Sequence, residues 1–116
     1  MLKKRLKMKI NLLVLRCKDI EITKRFYEKL GIEFIKEHHG KSPIHYSYDV
    51  GGVLLELYPL KGEEPLEQSR LGFNVELRYM KTMKSEMLSS YEFDGIDVMV
   101  VQDPDGRKIE LREDIK

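Results

Sequence analysis

Several things are scarce in this chain of 116 residues. It has one cysteine, Cys17, so no intrachain disulfide can form. It has no tryptophan, which removes the strongest stacking group for a planar ligand. No stretch approaches the ~18 apolar residues that a membrane span needs. Neither sign of charge dominates: 21 Lys and Arg face 20 Asp and Glu, for a formal net charge of +1. That balance argues against a strong global field for nucleic acid or an anionic membrane. With 41% hydrophobic and 35% charged residues, the composition is that of a globular chain rather than a disordered one. The length suits a single domain, 1–116, with its own core.

The positive charge is uneven, because Lys3, Lys4, Arg5, Lys7 and Lys9 crowd the N-terminus. A solvated terminus accounts for this run more simply than an anchor for an acidic partner. The basic start followed by Ile10 to Leu15 imitates a signal peptide. The apolar run is too short, however, and it ends in Arg16-Cys17-Lys18-Asp19 with no small-residue cleavage site. The expected location is the cytoplasm. Cys17 stands where a strand ends, and a small buried hydrophobe is the expected role.

What the chain does have is a segment that occurs twice. Gly52-Val53-Leu54-Leu55-Glu56-Leu57 is answered 54 residues later by Gly106-Arg107-Lys108-Ile109-Glu110-Leu111. Each copy opens at a turn and runs on as a short strand. Alternate side chains of a strand point to opposite faces, so Glu56 and Glu110 leave the face used by their aliphatic neighbours. Two carboxylates at matching places in a repeated unit suggest a site on a pseudo-twofold axis.

The flanking pattern extends the repeat. Lys9 to Cys17 reads as a strand. Asp19 is a helix N-cap, Ile22, Phe26 and Leu30 form a helical stripe, and Gly31 ends the helix. Ile32 to Glu37 is a strand, 38–43 a polar loop, and Ile44 to Val50 and Val53 to Tyr58 a strand pair turned by Gly51-Gly52. Module one is therefore βαβββ over about residues 9–60. Residues 61–69, with Gly62 and Pro65, read as a linker. Module two, 70–112, opens with a strand over Arg70 to Leu77. A helix follows, with Met80, Met83, Met87 and Leu88 at helical spacing. Strands at Ile96 to Gln102 and Lys108 to Arg112 close it. Only 91–95 remain for its second strand, which reads as short or missing.

Two such modules resemble the vicinal oxygen chelate superfamily, which includes glyoxalase I, bleomycin-resistance proteins and extradiol dioxygenases. The likeness is carried by Asp19-Ile20 leading into Arg25-Phe26-Tyr27-Glu28-Lys29-Leu30-Gly31, and by Asp103-Pro104-Asp105-Gly106-Arg107-Lys108-Ile109-Glu110-Leu111. The resemblance implies an α+β fold. Two βαβββ modules, the second shortened, would form a half-barrel with a concave cleft completed by dimerisation. In metal-dependent relatives each module gives one ligand from its first strand and one from its last. The late positions correspond to Glu56 and Glu110. The early ones fall on Leu12 and Arg70, and leucine cannot ligate while arginine repels a cation. No cofactor is therefore expected. An Arg70–carboxylate cluster with Glu56 and Glu110 takes the place of the metal.

Strand parity groups the polar residues expected to line the cleft. Val14 and Arg16 go with Leu12, Tyr58 with Glu56, Asn74 with Arg70, and Lys108 and Arg112 with Glu110. Leu13, Leu15, Leu55, Leu57, Leu71, Phe73, Ile109 and Leu111 take the opposite, helix-covered face. Arg16 matches a position that contacts a substrate carboxylate in glyoxalase-like relatives. His45 can face the cleft as a base or spare ligand, with Tyr46 and Tyr48 turned away. In a competing arrangement Phe34, Tyr46 and Tyr48 stack on a planar ligand. His38 and His39 are read as solvent-exposed, and as consecutive residues they are poorly disposed to clip a metal.

Three functions follow. The leading one is a homodimeric, metal-independent small-molecule-binding protein of the bleomycin-resistance type. It would use Arg16, His45, Glu56, Tyr58, Arg70, Asn74 and Glu110, with no nucleic acid or membrane partner. The second is a metal-dependent lyase, isomerase or dioxygenase in which Glu56 and Glu110 ligate or catalyse and His45 is a third ligand. The third is a dimeric interaction protein whose cleft is vestigial.

Overall fold

A computed structural model describes residues 8–62 and 69–114. Lys3, Lys4, Arg5 and Lys7, and most of the expected linker, lie outside the described residues. Module one consists of β1 (Leu12–Cys17), α1 (Ile20–Glu28), β2 (Ile35–Glu37), β3 (His45–Val50) and β4 (Val53–Pro59). Module two consists of β5 (Arg70–Val75), α2 (Leu77–Met83), a 3-10 turn (Lys84–Glu86), β6 (Ser89–Phe93), β7 (Ile96–Gln102) and β8 (Lys108–Glu113). The second strand of module two is thus present. It escapes a hydrophobic-pattern reading because all five of its residues are exposed. Its signal is the Asp94-Gly95 turn, which joins β6 to β7 with positive φ at both residues, 52° and 76°, as the tightest hairpins require.

Each module folds into its own four-stranded mixed sheet, in the orders β1-β4-β3-β2 and β5-β8-β7-β6. In both, the first strand pairs parallel with the last, and the remaining pairs are antiparallel. The register makes the repeat geometric. Val14 lies opposite Glu56 and Gly72 opposite Glu110, while Leu12 and Arg70 lie opposite the residues two places earlier, Leu54 and Lys108. Leu12 and Arg70 are therefore equivalent positions, as the family resemblance has them.

The helices show why sequence periodicity is only a partial guide. Asp19 caps α1 as expected, its Oδ1 accepting from the amides of Glu21 (2.9 Å) and Ile22 (3.3 Å). The buried face, however, is Thr23, Phe26, Tyr27 and Leu30, and Ile22 is exposed. Thr23 and Tyr27 turn inward because their hydroxyls donate to Asp105 (2.7 Å) and Asp103 (2.6 Å). In module two, Met80 and Met83 are buried, but α2 stops at Met83 and leaves Met87 and Leu88 outside the helix and exposed. The N-cap residue of α2, Glu76, makes no side-chain cap bond among the described residues, and so short a helix depends on packing rather than propensity.

One hydrophobic cluster serves both modules. It contains Leu15, Cys17, Leu55 and Leu57 from the first sheet, Ile109 and Leu111 from the second, and Phe26, Tyr27, Met80 and Met83 from the helices. Leu13, Leu71 and Phe73 are half-buried against it. The parity division is thus observed, with these odd-numbered residues inward and Glu56, Tyr58, Glu110 and Arg112 on the other face. Tyr46 belongs to the same core, and the partly buried Phe34 and Tyr48 pack against it.

Candidate functional site

The face of each sheet away from the shared core carries the polar side chains. In module one it is built by β1, β4 and the β2–β3 hairpin. His45 is the first residue of β3 and only 1% exposed. Its Nδ1–H donates to the Pro43 carbonyl (3.2 Å), since a carbonyl can only accept. Its Nε2 is therefore aimed at two carboxylates, Glu56 at 3.7 Å and Glu37 at 3.9 Å. Tyr58 lies flat on the imidazole, with centroids 4.2 Å apart and planes 10° apart. The Arg16 guanidinium lies over the Tyr58 ring at 5.2 Å and donates to the Pro59 carbonyl at 3.3 Å. Burial, then the nearby Glu56 carboxylate, pushes the Tyr58 hydroxyl above its ordinary value.

In module two, Arg70 pairs with Glu110 at 3.0 Å, and the Tyr91 hydroxyl donates to the other oxygen of Glu110. That bond raises the Tyr91 hydroxyl above its ordinary value. Asn74, Glu110 and Arg112 line a depression of about 250 Å³ with Gly72 and Phe73. Arg112 also lies over the Phe93 ring at 5.4 Å. A larger apolar groove of about 590 Å³, lined in part by Leu77, Met80, Met87, Val98 and Met99, contains none of the sequence-predicted site residues but touches Tyr91.

The structure therefore divides the expected Arg70–carboxylate cluster in two. Among the described residues Arg70 bridges to Glu110, whereas Glu56 stands beside His45 in the other sheet. Arg16, His45, Glu56 and Tyr58 form one group, and Arg70, Asn74 and Glu110 another. Sequence reasoning overlooked Glu37, which accepts from Ser47 Oγ and contacts His39 at 3.2 Å. The Ser47 bond, more than the nearby histidines, holds the Glu37 carboxyl below the usual range. The missed signal is the alternation Glu37-x-His39, which puts two donors on one side of an extended chain.

The Asp103–Arg107 turn, which carried much of the family likeness, is structural. Arg107, Asp103 and Asp105 are buried. Asp103 accepts from Tyr27 and from Arg107, Asp105 accepts from Thr23 and from the Lys18 amide (2.9 Å), and Arg107 donates to the Arg16 carbonyl. The turn of module two thereby holds the end of β1 and one face of α1, and with them the backbone of Arg16.

The metal position that the fold family implies does not fit these residues. Leu12 offers no donor atom and is 49% exposed. Arg70 fills the equivalent place in module two with a fixed cation already bonded to Glu110.

Comparison with known proteins agrees with this fold. Structural matches include the oxidase ChaP-H2, with 15% identity, 95% of this chain and 96% of that chain covered, and a TM-score of 0.70. SMU.1112c matches with 22% identity, 93% and 100% coverage, and a TM-score of 0.72. Lactoylglutathione lyase from Agrobacterium tumefaciens matches with 14% identity, 94% and 96% coverage, and a TM-score of 0.68. At such identities these likenesses concern the fold alone. Comparison with curated protein sequences returned no match. A sequence model of the Glyoxalase/Bleomycin resistance protein/Dioxygenase superfamily matches residues 9–82, more than half of the sequence, and the chain belongs to that superfamily.

Proposed function

We propose that this protein binds a small molecule, without a metal at the family's usual position, on the polar faces of its two sheets. The observation that carries the reading is the Arg70–Glu110 ion pair at 3.0 Å. It sets a permanent cation where relatives of the metal-dependent kind place a ligand. Arg70 is more than half exposed and so keeps donors for an incoming anion, while Glu110 is mostly covered. Asn74 and Arg112 beside Glu110 add a neutral hydrogen-bonding group and a second cation. The ligand class is therefore a compact organic anion with an apolar body, held by Arg70 and Arg112, with Arg16 and Tyr58 serving module one.

The working unit is a homodimer. Leu12, Leu54 and Ile35 are apolar, exposed, and on the same side of their sheet as Glu56. A second copy would cover them and close the cleft. The test is a thermal-shift screen of carboxylate and phosphonate ligands, run on chelator-treated protein and followed by titration calorimetry of hits. Binding in chelator that falls tenfold or more in Arg70→Ala supports the reading. Binding that appears only after metal is added, and disappears in Glu110→Gln, overturns it and favours the metal-dependent enzyme.

A further inference from the structure

One group of side chains, which shares only Glu56 with the family's metal position, has the composition of a cation site. One donor atom each from Glu37, His39 and His45 lies within 4.8 Å of the others. The contacts are His39 Nε2 to Glu37 Oε2 at 3.2 Å, His45 Nε2 to Glu37 Oε1 at 3.9 Å, and His45 Nε2 to Glu56 Oε2 at 3.7 Å. A tetrahedral ion with bonds of 2.0–2.1 Å needs donor separations of about 3.3 Å. The three contacts lie at, or up to about 0.6 Å beyond, that value, and the remaining adjustment falls to His39, whose side chain is 69% exposed.

Three features prepare the site. Glu37 and His45 are directly opposite each other in the β2–β3 register, so the hairpin fixes their spacing. The outer groups are also supplied: Ser47 holds Glu37, the Pro43 carbonyl holds His45 Nδ1, and Tyr58 stacks on the ring. Such partners fix the tautomer that leaves Nε2 as the donor atom. Finally, Nε2 faces the carboxylates of Glu37 and Glu56, and both attract a cation bound among them. His39 is the most accessible of the four donors, with its side chain 69% exposed.

We propose that Glu37, His39 and His45, with Glu56 as the fourth donor, bind one divalent transition-metal ion of the zinc class. Two imidazole nitrogens and two carboxylate oxygens suit that class better than magnesium or calcium, which prefer all-oxygen shells. Four protein donors make a closed site. Its effect is to tie the 38–44 loop to β4 rather than to present an open coordination position. The site shares Glu56 with the family's metal position but uses none of Leu12, Arg70 and Glu110, and its failure would leave the ligand-binding reading intact.

The experiment uses full-length, untagged, chelator-stripped protein. Zn²⁺ is titrated by calorimetry, Co²⁺ by visible absorption, and melting temperature is followed with and without Zn²⁺. The expected result is one ion per chain, intense tetrahedral Co²⁺ bands, and a higher melting temperature with zinc. Affinity falls at least tenfold in His39→Gln, an exposed position that leaves the fold unaltered, and in His45→Gln, while His38→Gln and Glu110→Gln bind as the parent does. Absence of stoichiometric binding, or binding indifferent to His39→Gln, overturns the proposal. Binding lost in Glu110→Gln but kept in His39→Gln would place the ion at the family's position, overturning this inference and the metal-free reading together.

Discussion

Arg107 Nη1 donates to Asp103 Oδ2 at 3.0 Å, with both side chains wholly out of solvent. The same aspartate oxygen accepts the Tyr27 hydroxyl at 2.6 Å, and its other oxygen accepts the backbone amides of Asp105 and Arg107 at 2.9 and 3.0 Å. Removing one member of a buried pair leaves an uncompensated charge, which costs about 3–5 kcal/mol. Arg107→Met should therefore lower unfolding stability by that amount in urea titration. Arg107→Lys should recover only part, because an ammonium cannot reach Asp103 and the Arg16 carbonyl in forked geometry. A change below about 1 kcal/mol in Arg107→Met would show that the network is dispensable.

Tyr27→Phe isolates one hydrogen bond of that network. The ring remains packed edge-on against Phe26 at 5.1 Å and Phe73 at 6.1 Å, so the aromatic packing is retained and the donor to Asp103 is lost. A hydrogen bond to a charged group contributes about 1.5–3 kcal/mol, and the loss should appear as a reduced urea midpoint with an unchanged m-value. An unchanged midpoint would mean that Arg107 and the two amides satisfy Asp103 without Tyr27.

Gly31 ends α1 at φ +100°, and a Cβ built there would lie 2.7 Å from the Tyr79 ring. Gly31→Ala should cost more than about 1 kcal/mol, since both backbone strain and a clash oppose it. The two causes are separable. Adding Tyr79→Ala should remove the clash but leave the strain, so the double variant should be more stable than the sum of the two single losses. Strict additivity would show that the ring swings aside freely.

Burial, then the Asp105 carboxylate, pushes the Cys17 thiol from its ordinary 9.0 up to about 12. The folded value lies above the unfolded one, so this contribution to stability is complete below pH 9. It is lost as pH rises toward 12, because the unfolded thiol ionises first. At pH 8 the thiol should react with a disulfide reagent only at the rate of unfolding, whereas denatured chain should react at once. Rapid labelling of native protein would contradict the burial.

The legible part of this protein is the part that repeats. Periodicity and the Glu56/Glu110 match locate β4, β8 and the division of their faces, because alternation follows directly from strand geometry. The Asp19 cap is equally local. What sequence did not reveal depends on tertiary partners. Thr23 and Tyr27 displace Ile22 from the buried face of α1 only because Asp103 and Asp105 arrive from 76 and 82 residues away. The fully exposed β6 has no apolar alternation to read. Glu37 and His39 join His45 only once the β2–β3 hairpin closes, so a search among neighbours in sequence passes them by.

The Arg70–Glu110 pair separates binding from folding. Arg70 is more than half exposed, and ion pairs of that kind contribute about 0–1 kcal/mol. Arg70→Ala should therefore unfold within about 1 kcal/mol of the parent, and the small difference should shrink further at high salt. If Arg70 is the anion's forked partner, as proposed, ligand binding should respond differently. A tenfold or greater loss of affinity at unchanged stability would mark Arg70 as a binding group. If Arg70→Ala instead lowered stability by several kcal/mol and spared affinity, the guanidinium would be holding Glu110 and Tyr91 in place as a structural pin. The unaltered ligand would then have to rest on Arg112 and Asn74.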